Sequence, residues 1–231
     1  MLDRHHNSMQ SSLKTHHQSI ANSWREAWQS KSFKLQSIVT LVSVLSFTVV
    51  FNRFFDFVES REGSVLEDYV LNLFPAYNVS WLVFFFLYSG IVFGLYFHMN
   101  YPKTIVIAFQ TYVLVTLIRI CTITLLPLNP PEGYIPLREP FVQLFTSNGR
   151  IISKDLFFSG HMSTILSIYF ASHQRYVRAF LLLCSMMVGS MILLQHVHYT
   201  IDVVVAVPAT YLVYLFCKKY LGGKLPGRNT D

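Results

Sequence analysis

The sequence predicts an all-α integral membrane protein, a six-transmembrane-helix bundle with both termini in the cytoplasm. Three observations lead to this fold class. Of the 231 residues, 52% are hydrophobic and only 13% are charged, whereas a soluble domain carries about 25% charged residues. Six apolar stretches meet or approach the ~20 residues that a bilayer span requires. The basic residues are also distributed unevenly between the two sides that these spans define.

The six predicted spans follow one another along the chain, and no internal repeat divides them. The first three are long, whereas the last three are shorter and polar at one end. They cover residues 35–55, 79–98, 104–128, 156–172, 179–197 and 201–217. We therefore expect three parts: a cytoplasmic tail with an interfacial amphipathic helix over 1–32, a six-span membrane domain over 33–219 that must hold any catalytic site, and a basic cytoplasmic tail over 220–231.

Two segments outside the spans have the pattern of surface helices. In the N-terminal tail, one helical face carries a group of apolar residues, namely Leu13, Ile20, Trp24 and Trp28. We expect this helix to lie on the inner membrane surface. Farther along, Ser64 and Glu67 form a capping-box pattern before an apolar stretch that Pro75 ends. This second segment is predicted to pack over the outer mouth of the bundle.

The charge distribution sets the predicted orientation. With a cytoplasmic N-terminus, the inner segments hold twelve of the eighteen basic residues and only three acidic ones, and the other side holds six basic and nine acidic residues. Membrane proteins place their basic residues inside in this way. The net charge of +6 is therefore explained by topology, and no nucleic-acid partner is expected.

Cys121, Cys184 and Cys217 are widely spaced in apolar runs and predict buried free thiols.

Ionisable side chains inside the spans mark the candidate functional site, because burying them in a membrane is costly. These residues are Arg119, His161, His198 and Asp202, with Asp155 at the edge of a span. The interval from His161 to His198 corresponds to two legs of ~16–17 residues and a short turn, so both rings should lie at the outer end of the bundle. Arg119 lies about 15 residues into an outward-running span and reaches the same level.

The spacing of these residues favours phosphoryl-transfer chemistry. On a helix, Asp202 lies beside His198, where its carboxylate would fix the imidazole tautomer and leave the other ring nitrogen as a nucleophile or base. The run Ser159-Gly160-His161 stands at an apparent helix start, whose free N–H groups suit a bound phosphate. His161 could protonate a leaving oxygen, and Arg119 could support the charge of the transition state.

Two other classes of protein remain as alternatives. In a transporter or channel, intramembrane charges would line a pathway. A metal-dependent membrane oxidase would need more ligands than His161, His196 and His198 supply. We therefore expect an enzyme that requires neither a metal ion nor another cofactor.

Three segments of the sequence resemble the sphingomyelin synthase family, a branch of the type 2 phosphatidic acid phosphatase (PAP2) superfamily. The first is the run from Asp155 to His161, and the second is His198-Tyr199-Thr200-Ile201-Asp202 with the apolar residues that follow. The third is the Arg119-Ile120-Cys121 segment, which is similar to the arginine-containing third span of that family. The plant phosphatidylcholine:diacylglycerol cholinephosphotransferases share much of this pattern. The resemblance covers about residues 80–217.

This resemblance implies a membrane enzyme whose site faces the lumen or cell exterior. It would transfer a phosphocholine-like head group from a phosphodiester lipid donor to ceramide or diacylglycerol through a phosphohistidine-type intermediate. A phosphatase or phospholipase C-type side activity is compatible with the same site. His198, Asp202 and His161 would be the catalytic residues. The substrate-binding residues would be Arg119, Ser159, Gly160, Asp155 and Tyr199.

The sequence also departs from the wider superfamily. Its phosphatases usually carry a lysine-to-arginine-proline motif and an arginine six residues before the nucleophilic histidine, where this chain has Ile192. A phosphomonoester is nearly dianionic and benefits from several cations, whereas a phosphodiester carries one negative charge. The small number of cations therefore favours a phosphodiester donor. A PAP2-type phosphatase acting on phosphatidate-like monoesters remains the nearest alternative.

Overall fold

The structure describes residues 18–137 and 152–222, which form seven α-helices. It is a computed structural model. The helices are α1 (18–27), α2 (Lys31–Ser60), α3 (Ser80–His98), α4 (Pro102–Leu125), α5 (Gly160–Ala171), α6 (Arg175–Leu194) and α7 (Thr200–Phe216). A 3₁₀ turn covers Leu71–Leu73, and a π-helical turn over Cys217–Leu221 extends α7. The fold is therefore all-helical in the part described, as the sequence predicts.

Five helices are long and apolar enough to cross a membrane, one fewer than the sequence predicts. They are Lys31–Phe51 within α2, Ser80–His98, Pro102–Leu125, Arg175–Leu194 and Thr200–Leu221. The predicted span over 156–172 contains only the 12-residue helix α5. This helix is ~18 Å long, whereas the hydrocarbon core of a bilayer is ~30 Å thick. The six-span count is thus not confirmed.

The short helix α5 is the central element of the bundle. It packs against α3, α4, α6 and α7, and Ile165 and Leu166 are completely or almost completely buried. Chain that is not helical can lie at membrane depth only where protein covers it. Because four longer helices surround α5, the extended residues before it are shielded from lipid, and the helix does not need the length of a span.

Polar side chains define the two ends of α2. Ser30 caps its start and accepts a hydrogen bond from the N–H of Phe33. Beyond its end, the guanidinium of Arg61 donates to the carbonyl oxygens of Ile123 and Thr124, at 2.7 and 2.6 Å. These carbonyl groups belong to the last turn of α4, where a positive charge is favoured by the helix dipole. The ends of α2 and α4 are therefore joined.

Two connecting segments meet at the end of the bundle where α2 and α4 finish. The first, residues 61–79, pairs with the second, residues 126–137, through a parallel bridge between Ser64 and Leu128. A Cβ at Gly63 would lie 2.6 Å from the carbonyl carbon of Leu128, so only glycine allows this close approach. The helix predicted after Ser64 is wrong: except for the 3₁₀ turn, this segment is extended. Its backbone bonds the second segment instead of forming helical turns.

The N-terminal helix packs against the opposite end of the bundle. Trp24 donates from its indole Nε1 to the carbonyl oxygen of Met99, at 2.8 Å, and its ring contacts Phe33 edge to face. Trp28 also contacts Phe33. The predicted face that carries the two tryptophans therefore packs against the start of α2 and the end of α3. Leu13 and most of the two predicted tails lie outside the described residues.

Of the three cysteines, Cys184 and Cys217 are buried as expected, but Cys121 is exposed.

Candidate active site

Two histidines from different parts of the chain face each other at the end of the bundle that carries the connecting segments. His161 is the second residue of α5, and His198 precedes the start of α7. Their ring centroids are 6.2 Å apart, with an angle of 71° between the ring planes. His198 is only 1% exposed, whereas His161 is half-buried. The two rings therefore approach each other edge to face.

Asp202 fixes the orientation of His198. Its Oδ2 lies 3.1 Å from Nδ1 of His198 and also accepts a hydrogen bond from the N–H of Tyr199. A carboxylate can only accept hydrogen bonds, so Nδ1 carries the proton and the lone pair stays on Nε2 of the neutral ring. Asp202 is completely buried, and its Oδ1 has no partner within 18–137 and 152–222. The hydrogen bond thus fixes the orientation of His198 and leaves the lone pair on Nε2.

A single backbone hydrogen bond connects the starts of α5 and α7. The N–H of Ser159 donates to the carbonyl oxygen of Asp202, at 3.1 Å. Ser159 then caps α5: its side chain accepts from the N–H of Met162, and its carbonyl oxygen accepts from the N–H of Ser163. Together with the packing of α5 against α7, this contact brings the two histidines near each other.

The start of α5 offers unused donors beside Arg119. The N–H groups of Gly160 and His161 have no acceptor in the described part of the chain, as is usual for the first turn of a helix. A Cβ at Gly160 would lie 2.7 Å from Cζ of Arg119 and closer still to Nη1. Glycine at this position therefore lets the guanidinium touch the helix start, which makes a site suited to an anion.

Arg119 itself is held by two strong hydrogen bonds. Its Nε donates to the carbonyl oxygen of Phe158 and its Nη2 to Oδ1 of Asp155, both at 2.6 Å. The side chain is largely buried, whereas that of Asp155 is 26% exposed. Nη1 remains without a hydrogen-bond acceptor among the described residues. The arginine is therefore aimed at the start of α5 with one nitrogen available.

Two residues expected to bind substrate have other contacts. Ser159 is fully buried, and its hydroxyl caps α5. The hydroxyl of Tyr199 donates to the carbonyl oxygen of Asn129 and accepts from the N–H of Leu66. Both hydroxyl groups have protein partners, and substrate binding by Ser159 and Tyr199 stays a prediction. Arg119, Asp155 and Gly160, by contrast, lie together beside the histidines.

Sequence reasoning missed Glu59, which holds the extended segment that leads into α5. Its carboxylate accepts hydrogen bonds from the N–H groups of Ser153 and Lys154, at 2.6 and 2.7 Å, and from the hydroxyl of Ser153. Glu59 is also one reason why the pKa of Tyr134 rises to about 12: burial is the largest cause, followed by the nearby charges of Glu59 and Asp155. No spacing in the sequence connects Glu59 with residues nearly 100 positions away.

Gln195 was missed as well, although a glutamine in the last turn of an apolar helix is a signal. It is fully buried. Its Nε2 donates to the Ser80 hydroxyl and to the carbonyl oxygens of Ile135 and Pro136, and its Oε1 accepts from the N–H of Val79. The neighbouring His196 turns away from the histidine pair, and its Nδ1 lies 2.8 Å from the carbonyl oxygen of Glu132.

One family model matches the part of the chain that carries both histidines and Asp202. Residues 154–220 match the family model described as "PAP2 superfamily C-terminal". None of the curated proteins matches the chain. Among solved structures, the crystal structure of Aquifex aeolicus LpxE is 15% identical, with a TM-score of 0.47 over 65% of this chain and 92% of that one. The sphingomyelin synthase branch is not confirmed. The segment that carries both histidines and Asp202 matches the PAP2 superfamily C-terminal domain.

Proposed function

We propose that the protein is a membrane-bound lipid phosphotransferase that moves a phosphodiester head group by way of His198. The observation that carries this proposal is the meeting of His161, His198 and Asp202 at the start of α5, with a buried arginine beside them. A nucleophile, an acid on the opposite side and an anion site are the parts that such a transfer needs. The PAP2 match over 154–220 supports the same class of chemistry.

In the first half of the reaction, Nε2 of His198 attacks the phosphorus of the donor. A nitrogen–phosphorus bond forms while the bond from phosphorus to the lipid oxygen breaks. For this step His161 must be protonated: it gives its proton to that oxygen, so the donor leaves as an alcohol such as diacylglycerol. Asp202 stabilises the positive charge that develops on His198, because the proton on Nδ1 already points at its carboxylate.

In the second half, the hydroxyl of an acceptor lipid replaces the departed alcohol. His161, now neutral, takes the hydroxyl proton as the oxygen attacks phosphorus, and the bond from phosphorus to His198 breaks. Both rings return to their starting protonation states. Ceramide or diacylglycerol would serve as the acceptor, and water in the same position would yield a phosphatase or phospholipase C-type reaction.

The charge of the site favours a phosphodiester over a phosphomonoester. Arg119 is paired with Asp155. Of the neighbouring cations, Lys154 donates to the carbonyl oxygens of Glu59 and Arg61, and Arg61 is bound to the end of α4. Lys154 and Arg61 thus use these donors on backbone carbonyl oxygens, and the charge of Arg119 is offset by Asp155. A phosphodiester carries a single negative charge and needs less compensation than a dianionic monoester.

The distribution of charge along the bundle supports a site that faces the lumen or cell exterior. The end with α1 carries Arg25, Lys31, Lys34, Lys103, Lys218 and Lys219. The end with the histidine pair carries the basic residues Arg61, Arg119 and Lys154 but also a larger acidic group, namely Glu59, Glu62, Glu67, Asp68, Glu132 and Asp155. By the positive-inside rule the basic end would be cytoplasmic.

The test uses purified protein in lipid vesicles with three donors in turn. A choline or ethanolamine phospholipid labelled in its head group is supplied with ceramide or diacylglycerol, and phosphatidate is supplied alone. We expect label in the acceptor lipid and none when His198→Ala replaces the parent. Release of free phosphate from phosphatidate without head-group transfer would identify a phosphatase instead. Transport without any lipid turnover would identify a transporter.

A further inference from the structure

The turn between α6 and α7 makes hydrogen bonds to both connecting segments. It contains residues 195–199, of which some side chains bond these segments and His198 faces the histidine site. Gln195 and His196 bond the second segment. His198 faces Asp202 and His161. The turn therefore has contacts on both sides of the histidine that we propose as the nucleophile.

Asp68 of the first segment caps the start of α7. Its carboxylate accepts hydrogen bonds from both the N–H and the hydroxyl of Thr200, at 2.6 and 2.9 Å. It also accepts from the N–H groups of Val70 and Leu71. The same side chain thus closes the 3₁₀ turn and fixes the first residue of α7. Hydrogen bonds to a carboxylate are about twice as strong as those between neutral groups.

Tyr199 joins the same turn to both segments with one hydroxyl group. Its hydroxyl donates to the carbonyl oxygen of Asn129 and accepts from the N–H of Leu66, at 2.9 and 3.1 Å. The ring is 1% exposed and packs with Leu71 and Leu156. Because both hydrogen-bonding roles of the hydroxyl are used, Tyr199 has none left for a lipid head group.

We propose that Asp68 and Tyr199 are positioning residues that hold His198 in line with the donor phosphorus and do not themselves contact the lipid. This inference rests on the proposed function. His198 lies directly before Tyr199, and Thr200 follows, so two fixed residues adjoin the nucleophile. A shift of about 1 Å in a reacting group can lower the rate about 10²-fold. Loosening either contact should therefore reduce kcat and leave KM nearly unchanged.

The experiment measures kcat and KM for head-group transfer in Tyr199→Phe, Asp68→Ala and Asp68→Asn. We expect the first two to lose about ten- to a hundredfold in kcat, with KM within about twofold of the parent. Asp68→Asn keeps an acceptor oxygen for Thr200 and should recover most of the loss. Tyr69→Phe and Glu67→Ala are matched controls, because these side chains lie on the same segment and are exposed. They should retain the parent activity.

A second readout separates this inference from the proposed function. Hydrogen–deuterium exchange over residues 198–204 should become faster in Tyr199→Phe and Asp68→Ala but not in the controls. If the parent transfers no head group, the proposed function fails, while faster exchange still supports the contact that orders His198. An unchanged kcat with unchanged exchange would overturn the positioning role. So would a higher KM at constant kcat, which would mark Tyr199 as a substrate contact.

Discussion

Replacing Gly160 by alanine tests whether the guanidinium of Arg119 must touch the start of α5. The added Cβ would lie 2.7 Å from Cζ of Arg119 and 3.1 Å from its Nη2. Carbon atoms in contact are normally ~3.5–4.0 Å apart, so the guanidinium must retreat by about 1 Å. It cannot do so freely, because its bonds to Phe158 and Asp155 are already short, at 2.6 Å each.

The size of the effect follows from this displacement. A misplacement of about 1 Å costs about 10²-fold in rate, and losing one hydrogen bond of a charged group costs ~1.5–3 kcal/mol of stability. We therefore expect Gly160→Ala to fold, to unfold at a somewhat lower temperature, and to lose about 10²-fold in kcat. Kinetics of head-group transfer in vesicles, together with thermal unfolding, measure the two effects.

Gly90→Ala is the matched control for this experiment. Its added Cβ would lie 3.3 Å from Cβ of Cys184, a tight contact between α3 and α6 that involves no residue of the candidate site. This variant should keep the parent kcat, although it too loses some stability. Parent-like turnover in a folded Gly160→Ala protein would refute the close contact between Arg119 and the start of α5 as a requirement for activity.

Three further outcomes are expected. His198→Ala and Asp202→Asn should each remove most transfer activity in a protein that still folds, as measured by turnover and circular dichroism; near-normal turnover in either would contradict its role. Asp155→Asn leaves Arg119 uncompensated, so hydrolysis of phosphatidate relative to diester transfer should rise, and an unchanged ratio would oppose the charge argument. Although burial raises the pKa of Asp68, hydrogen bonds from Thr200, Leu71 and Val70 outweigh it and lower the pKa. The stability that Asp68 contributes is thus fully present above its unfolded pKa of about 3.9. It disappears as the pH falls through the folded pKa. When thermal unfolding is measured at decreasing pH values across these two pKa values, the unfolding midpoint should fall more in the parent than in Asp68→Asn.

Hydrophobicity and spacing predicted most of the long helices. The predicted spans 79–98 and 201–217 agree with Ser80–His98 and Thr200–Phe216 to within one residue. The meeting of His161 and His198 at one end of the bundle was also expected from the lengths of the intervening helices. These features depend on local hydrophobic patterns and on the number of residues needed to cross a bilayer, and both can be taken from a single sequence.

Features that depend on contacts between distant residues could not be predicted. The helix α5 is short because Ser159 caps it and because neighbouring helices cover the extended residues before it. The segment after Ser64 has a helical pattern, yet its N–H groups bond to the Tyr199 hydroxyl and to Asp68. In both places, tertiary hydrogen bonds override local propensity.

The expected role of Tyr199 illustrates the same limit for the site. The resemblance implied a contact with substrate, but a sequence does not record which way a side chain points. The hydroxyl is bound by Leu66 and Asn129 instead. Glu59 lies far from the motifs and gave no signal, although it holds the segment that leads to His161.

The most direct measurement of the central claim is to trap the covalent intermediate. The protein is mixed with a donor labelled at phosphorus, without acceptor, quenched with alkali within one turnover and digested for mass spectrometry. We expect the labelled head group on His198 as an acid-labile phosphoramidate, which disappears when acceptor is added before the quench. No label should remain in His198→Ala. Label on a different residue, or unimpaired transfer by His198→Ala, would contradict the mechanism.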